Sequence, residues 1–192
     1  MTSALAGSWF VYAGWVQWRL APYRLTLPLV VLGEVTVVVL LLLSHVPDKR
    51  DWRPFSLCCT LVATYYFVAV RLAPGVHLIS EPTACVFQAI GLGWALFAKL
   101  SLRRSFGLLP ANRGIVTTGA YRFVRHPIYT GYFVGHMAFL LANFCWQNVL
   151  VYVLLYAMQI VRVLREEALL SSDHTYRAYM QRVRFRAVPG VF

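Results

Sequence analysis

Long runs of apolar residues constrain this chain more than any other feature of its sequence. Three runs, at residues 25–44, 55–73 and 83–100, each have about the 20 residues that a helix needs to cross a bilayer. A fourth run, 132–163, is too long for one crossing, and its polar and aromatic centre at 143–148 predicts a turn between two helices. We therefore predict an all-α, polytopic membrane protein with about five transmembrane helices, built as one domain.

The charged residues lie between these runs. The chain has 18 basic and 7 acidic residues and a formal net charge of +11, yet 59% of its residues are hydrophobic and its mean hydropathy is +0.61. Such a chain offers no soluble domain that would present its arginines to nucleic acid. We interpret them as a basic collar against anionic lipid headgroups, so the predicted partner is the bilayer and not a nucleic acid.

Arginine and lysine are unevenly distributed among the connections. They are concentrated after the first span, before the fourth span and after the last one, whereas the connection 74–82 contains none. By the positive-inside rule the C-terminus is cytoplasmic and the N-terminus lies outside, in what we take to be a bacterial inner membrane. The aromatic residues of 8–18 follow a nearly helical spacing, which predicts an interfacial helix on the outer face.

The cysteines indicate neither a covalent framework nor a metal site. All four fall inside apolar runs, without a C-x-x-C spacing and without a nearby pair of histidines. This pattern differs from that of disulfide scaffolds and of zinc sites, so we predict no metal.

The groups that could carry chemistry lie in the last ninety residues. A loop with three glycines and one proline, 103–119, leads to His126 and Pro127 at the start of the fourth span. Proline suits the first turn of a helix and the residue before it prefers an extended conformation, so we expect His126 to lie just outside the helix. The free backbone N–H groups of that helix end, beside Tyr121 and Tyr129, favour an anionic ligand such as a carboxylate. The alternative is a set of interfacial anchors and an aromatic belt.

Charged residues also mark the end of the fifth span. Arg162 and Glu166 are four residues apart and so share one face of a helix, and Glu167 follows directly. Because the fourth and fifth spans form a hairpin, this end should return to the side of His126 and Tyr129. A juxtamembrane charge cluster that merely ends the span is the alternative interpretation.

Three further features have both structural and functional interpretations. Gly131 and Gly135 form a small-x-x-x-small pair, which predicts close helix packing. The segment 176–186 alternates basic and apolar residues, and it would either bind a lipid surface or close over a bound cofactor. Glu34 lies near the middle of the first span, where ionisable groups are costly and often functional, but the sequence shows no partner for it.

We expect residues 103–192 to form the cofactor-binding catalytic region and 1–102 to form the N-terminal spans. Three motifs follow one another within the catalytic region. The motifs are Gly119-x-Tyr121-x-x-x-Arg125-His126-Pro127-x-Tyr129-x-Gly131, Arg162-x-x-x-Glu166-Glu167-x-x-Leu170 and Tyr176-x-x-Tyr179-x-x-Arg182-Val183, with Pro189-Gly190 after them. Together they resemble the isoprenylcysteine carboxyl methyltransferase family, whose wider relatives include the phospholipid N-methyltransferases. The first hundred residues are similar only in being helical spans.

The resemblance implies a membrane methyltransferase that uses S-adenosyl-L-methionine without a Rossmann fold. It implies a cytoplasmic cofactor pocket formed by the helical hairpin, the preceding loop and the C-terminal tail. In this interpretation Arg162 and Glu166 are catalytic, and Arg162 and Arg125 bind the substrate. The expected cofactor-binding residues are Arg113, Gly114, Ile115, Val116, Tyr121, His126, Pro127, Ile128, Tyr129 and Glu166.

The chemistry of the cofactor agrees with these residues. Its carboxylate suits Arg113 and His126, while Glu166 suits its cationic or hydroxyl groups. Methyl transfer is an in-line displacement on an activated carbon, so positioning contributes most. A carboxylate acceptor of the isoprenylcysteine type needs no base and could be held by Arg162. An amine or thiol acceptor, or a phospholipid headgroup amine, would need a base such as Glu166, Glu167 or a tyrosine.

Two other classes of protein remain as alternatives. Sterol-type membrane reductases share a similar Arg-His-Pro-x-Tyr pattern but use NADPH, and the adjacent pair of glutamates argues against them. A membrane scaffold that has kept the pocket but lost turnover is the third possibility. The leading prediction is methyl transfer to an amphiphilic, lipid-like acceptor that enters from the bilayer, in the first place carboxyl methylation of an isoprenylcysteine-type substrate. Methylation of a phospholipid or of a small amine or thiol is the alternative acceptor class.

Overall fold

The computed structural model describes residues 2–42, 54–102 and 115–191. Within these ranges α-helices predominate, and the only β-type pairing is an isolated antiparallel bridge between Val76 and Phe144. The all-α prediction is therefore confirmed. The α-helices are α1 (Thr2–Leu20), α2 (Thr26–Leu42), α3 (Pro54–Tyr65), α4 (Glu81–Leu102), α5 (Pro127–Ala142), α6 (Trp146–Leu170) and α7 (His174–Arg182), and two 3-10 helices cover Tyr66–Ala69 and Gly119–Arg122.

Helices α4 and α6 are the two in the described part of the chain that are long and apolar enough to cross a membrane. Between α5 and α6 only residues 143–145 are non-helical, so the predicted turn within the long apolar run is confirmed. The predicted first span corresponds to α2, and the second to α3 with the 3-10 helix that continues it. The number of five crossings and the orientation of the termini stay predictions.

Helix α1 includes the helix predicted over residues 8–18 and extends beyond it at both ends, and its interfacial position stays a prediction. It has 19 residues and packs along α2. Phe10 is buried in the core, and a Cβ at Gly14 would lie 2.5 Å from a methyl group of Val31. With only a short turn between them, the two helices form an antiparallel hairpin. The spacing of aromatic residues predicts the helix, but it does not show which face of the helix a neighbour will bury.

Helices α4 and α5 pack backbone against backbone. A Cβ on Gly91 of α4 would lie 2.6 Å from the carbonyl oxygen of Gly131 and 2.7 Å from the nitrogen of Gly135. The close packing predicted for this pair of glycines is therefore confirmed, and Gly91 is the partner that the pattern could not identify. This contact fixes the start of α5, which carries the candidate site, against α4.

A buried arginine connects the elements at the end of the bundle where α5 meets α6. Arg24 is 0% exposed, and its Nη1 donates a hydrogen bond to the carbonyl oxygen of Leu72 at 2.8 Å. Its Nη2 donates to Oδ1 of Asn143, whose Nδ2 donates to Oγ1 of Thr26 at 3.2 Å. Glu81 accepts the backbone N–H of Thr26 at 3.2 Å. One side chain thus joins the α1–α2 turn, the connection before α4 and the tip of the hairpin.

We expect Arg24→Met to destabilise this end of the bundle. The change leaves buried acceptors on Leu72 and Asn143 without a donor, and such a loss costs about 1–3 kcal/mol. Thermal unfolding in detergent should show a midpoint several degrees below that of the unaltered protein. Arg19→Met is the matched control, because Arg19 is exposed and only lies 6.0 Å above the ring of Trp15. Equal midpoints for the two variants would contradict this role for Arg24.

Candidate functional site

The candidate site begins at the first turn of α5. His126 has a non-helical backbone, with φ −129° and ψ 61°, and Pro127 is the first helical residue. This confirms the local structure predicted from the His-Pro pair. His126 and Pro127 are both buried, and the ring of His126 stacks on the ring of Tyr129 with centroids 5.9 Å apart. At this turn the rings of His126 and Tyr129 therefore pack against each other, whereas interfacial anchors would be exposed.

The C-terminal tail folds back along this turn. The backbone N–H of Arg125 donates to the carbonyl oxygen of Phe185 at 3.0 Å, and that of His126 donates to Arg186 at 2.6 Å. One turn into α5, Oγ1 of Thr130 donates to the carbonyl oxygen of Ala187 at 2.6 Å. The tail therefore supplies acceptors to the otherwise unpaired N–H groups before the helix. This part of the tail packs onto the protein, as closure over the site would require.

A buried carboxylate holds the turn, the tail and α6 together. Glu167 is 6% exposed, and its Oε1 lies 2.8 Å from Nε of Arg125 and 3.3 Å from Nε2 of His126. Its Oε2 accepts a hydrogen bond from Nε of Arg186 at 2.8 Å. We call Glu167, Arg125, His126 and Arg186 the Glu167 cluster. Because a carboxylate only accepts hydrogen bonds, Nε2 of His126 must carry a proton in this contact.

Tyrosines form the wall next to this cluster. Tyr121, Tyr176 and Tyr179 pack together with Val183, and the phenol of Tyr179 donates to the carbonyl oxygen of Tyr121 at 2.7 Å. Burial raises the pKa of all three phenols, so they stay neutral hydrogen-bond donors at physiological pH. The predicted cofactor-lining residues Ile115 and Val116 are packed against this wall. The wall therefore connects the loop before α5 with α7.

Arg162 lies against the other face of the turn. It is 8% exposed, its guanidinium carbon is 6.0 Å from the centre of the Tyr129 ring, and its Nη1 donates to Oε1 of Gln159 at 3.2 Å. Glu166 is half-buried on α6, and its carboxylate contributes to the raised pKa of Tyr121. The hairpin therefore brings Arg162 to the side of Tyr129, as the sequence predicts.

Ile128 is half-buried in the first turn of α5, beside the buried Pro127. Arg113 and Gly114 lie outside the described residues. The predicted role of each site residue, and the pocket itself, stay predictions.

The sequence does not predict the roles of two members of the Glu167 cluster, Glu167 itself and Arg186. Glu167 appeared only as one possible base beside Glu166, and Arg186 only as one charge of the tail. A helical signal for Glu167 does exist, because it lies four residues after the buried Val163 and continues a buried stripe of α6. No comparable signal exists for Arg186, which is 19 residues from Glu167 with the whole of α7 between them.

The comparison with known proteins covers the same part of the chain. The family model described as phospholipid methyltransferase matches residues 83–180, which run from the start of α4 into α7 and make up about half of the chain. No curated protein and no solved structure shows a significant match to the chain. The match includes the hairpin, the His-Pro turn, Arg162 and both glutamates, and it confirms the resemblance drawn from the motifs. The chain belongs to the phospholipid methyltransferase family, whose members are membrane methyltransferases that act on lipid-like substrates.

Proposed function

We propose that this protein transfers a methyl group from S-adenosyl-L-methionine to an amphiphilic acceptor that reaches the site from the bilayer. The observation that carries the proposal is the convergence of Arg162, Tyr129 and His126 where the hairpin meets the C-terminal tail. Membership of the family supports methyl transfer as the reaction. The sulfonium of the cofactor supplies an already activated methyl carbon, so the protein needs chiefly to orient donor and acceptor.

The residues of the site fit the charges of this cofactor. Glu167 is engaged by the side chains of Arg125, His126 and Arg186, which suits a structural carboxylate. Glu166, half-buried on the same helix, then suits the ammonium or ribose hydroxyls of the cofactor. The buried phenols nearby offer hydrogen bonds without adding charge. Tyr121, Tyr129 and the Ile115–Val116 segment would line the remaining surface of the cofactor.

Two classes of acceptor follow from two different observations. The buried guanidinium of Arg162 suits a carboxylate, and therefore an isoprenylcysteine-type acceptor, which would be methylated on oxygen. The family description favours a phospholipid headgroup, which would be methylated on an amine. Transfer of the label from radiolabelled S-adenosylmethionine to each acceptor separates the two classes. The acceptors are phosphatidylethanolamine in nanodiscs and N-acetyl-S-farnesylcysteine. No cofactor binding and no labelling of either acceptor would contradict the proposal.

A nicotinamide-dependent reductase is the competing enzyme class, because it shares the Arg-His-Pro-x-Tyr pattern. A binding competition between S-adenosylmethionine and NADPH distinguishes the methyltransferase from the reductase. We expect S-adenosylmethionine and its demethylated product to bind more tightly than NADPH. Tighter binding of NADPH would reverse this assignment.

We expect Arg162→Ala to lower methyl transfer by about 100-fold, the typical effect of removing one positioned donor from a reacting site. The thermal midpoint should fall by a few degrees because Oε1 of Gln159 loses a buried donor, but the variant should stay folded at the assay temperature. Initial rates with labelled cofactor provide the measurement. Arg177→Ala on the exposed side of α7 is the control and should retain its rate. Full activity of the Arg162 variant would remove this residue from the catalytic machinery, and equal loss in both variants would indicate a general effect of charge.

A further inference from the structure

A second polar network lies among the helices, apart from the Glu167 cluster. Glu34 of α2, for which the sequence showed no partner, accepts a hydrogen bond from the phenol of Tyr66 at 2.5 Å. The same phenol oxygen is 2.8 Å from Nε2 of His136 on α5. Nδ1 of His136 is in turn 2.8 Å from the phenol oxygen of Tyr156 on α6. Four side chains from four elements thus form one continuous chain of hydrogen bonds.

The direction of these hydrogen bonds follows from counting protons. A phenol has a single proton, and that of Tyr66 is donated to the Glu34 carboxylate. Nε2 of His136 must then donate to Tyr66, which leaves Nδ1 as an acceptor for the phenol of Tyr156. Every bond therefore points from Tyr156 towards Glu34. If each proton moves along its own bond, a proton that enters at Tyr156 protonates Glu34, and His136 only changes tautomer.

The surroundings hold the chain in place. His136 is 8% exposed, and its ring stacks on Tyr132 with centroids 5.9 Å apart and on Tyr152 with centroids 5.0 Å apart. Lys99 of α4 is buried with its Nζ 5.0 Å above the Tyr132 ring. Stacking on two sides prevents the imidazole from rotating out of its hydrogen bonds. The titratable groups of the packed elements that face the network are Glu34 from α2, Tyr66 from the 3-10 helix, Lys99 from α4, Tyr132 and His136 from α5, and Tyr152 and Tyr156 from α6.

This network is continuous with the candidate site. Tyr132 follows Tyr129 by three residues on α5 and stacks on His136, so the same face of the helix leads from the site to the network. On α6, Tyr156 is three residues from Gln159, which binds Arg162. Polar and aromatic side chains therefore line the seam between α5 and α6 from Arg162 to Tyr156.

We infer that Tyr156, His136, Tyr66 and Glu34 form a proton relay that removes the proton from an acceptor whose nucleophile carries an N–H or O–H bond. This inference rests on the proposed methyl transfer and adds a means of proton removal to it. The lone pair of the nucleophile forms the new bond to the methyl carbon, and the carbon–sulfur bond breaks with its electrons on sulfur. The proton of the nucleophile passes to Tyr156, and the shifts along the chain end with a proton on the Glu34 carboxylate. A carboxylate acceptor has no such proton and would not use the relay.

Glu34→Gln tests the relay because the amide oxygen still accepts the Tyr66 hydrogen bond but cannot take up a proton. With nanodiscs that contain phosphatidylethanolamine and labelled S-adenosylmethionine, we expect turnover to fall about 100-fold or more, the size of general-base effects. Cofactor affinity should stay within about twofold of the unaltered protein. The limb of the rate–pH profile that reports protonation of Glu34 should vanish. His136→Phe, which keeps an aromatic ring in the stack, should give the same loss.

Glu81→Gln is the matched control, since it makes the same change at a carboxylate that binds Thr26 outside the network. It should keep both turnover and pH profile. Retained turnover in Glu34→Gln, an unchanged pH profile, or methylation by the unaltered protein of N-acetyl-S-farnesylcysteine alone would overturn the relay.

Failure of the proposed function would appear separately, as absence of cofactor binding by the unaltered protein. In that case infrared titration still tests the relay. A titrating carboxyl band that disappears in Glu34→Gln and shifts in His136→Phe supports the relay. Absence of a titrating carboxyl band in the unaltered protein overturns it.

Discussion

We expect Glu167→Gln to lower both the stability of the protein and its affinity for S-adenosylmethionine. The carboxylate holds Arg125, His126 and Arg186, and neither its own side chain nor that of Arg125 is more than 8% exposed. A neutral amide would leave a buried guanidinium without its counter-charge, and breaking a buried ion pair in this way costs about 3–5 kcal/mol. The turn before α5 and the tail would keep their hydrogen bonds through the carbonyl oxygens of Phe185, Arg186 and Ala187 but lose the ionic link between them, which would weaken the predicted cofactor contacts of His126.

The neighbouring residue provides a matched control. Glu166→Gln makes the same change one position earlier, at a half-buried carboxylate outside the Glu167 cluster. We expect this variant to unfold at nearly the normal temperature in detergent while binding the labelled cofactor more weakly. Thermal unfolding and equilibrium binding, measured on the same preparations, separate the two effects. A stable Glu167 variant, or an unstable Glu166 variant, would contradict the division between a structural and a ligand-binding carboxylate.

The hairpin and its His-Pro turn could be predicted from the sequence because their signals are local. Proline at the first helical position fixes its own φ and restricts the residue before it, so the non-helical conformation of His126 follows from two adjacent residues. The turn at 143–145 follows from a polar interruption within an apolar run. The proximity of Arg162 to Tyr129 then follows from the topology of a helical hairpin.

The sequence could not predict the contacts that join distant segments. Glu34 is separated from Tyr66 by 32 positions and Tyr66 from His136 by 70, and no local pattern relates them. Arg24 and Asn143 are 119 positions apart, so the burial of this arginine depends on a tertiary contact. An isolated ionisable residue in an apolar run indicates only that a partner must exist. Which residue becomes that partner depends on how the helices pack.

Helix packing also determines whether the site forms at all. The turn that carries His126 and Tyr129 lies directly before Gly131, where α5 contacts α4 through its backbone. The polar seam between α5 and α6 continues from that point towards His136. A displacement of α5 by the width of one methyl group would move the stacked rings away from Arg162 and stretch the hydrogen bonds of His136. The glycine contact is therefore a requirement of both the site and the relay.

For this reason Gly131→Val is expected to abolish the folded state. A Cβ at Gly131 would lie 2.6 Å from the carbonyl oxygen of Gly91 and 2.7 Å from the nitrogen of Ala95, and neither backbone atom can move without shifting α4. Overpacking of a core commonly costs about 1–3 kcal/mol when side chains can yield, and here the obstruction is backbone, so the cost should exceed that range. We expect little monodisperse protein in size-exclusion chromatography and no cofactor binding.

Gly93→Val separates this steric effect from the general effect of a β-branched residue in a helix. Gly93 lies on α4 as well, but a Cβ there would meet no atom of the described residues within 4 Å. Valine has a higher helix propensity than glycine, so this variant should fold and bind cofactor as the unaltered protein does. If both valine variants are recovered as folded protein with equal midpoints, α4 and α5 do not depend on the glycine contact. If only Gly131→Val is lost, close approach of the two backbones is what holds the His-Pro turn in place beside Arg162.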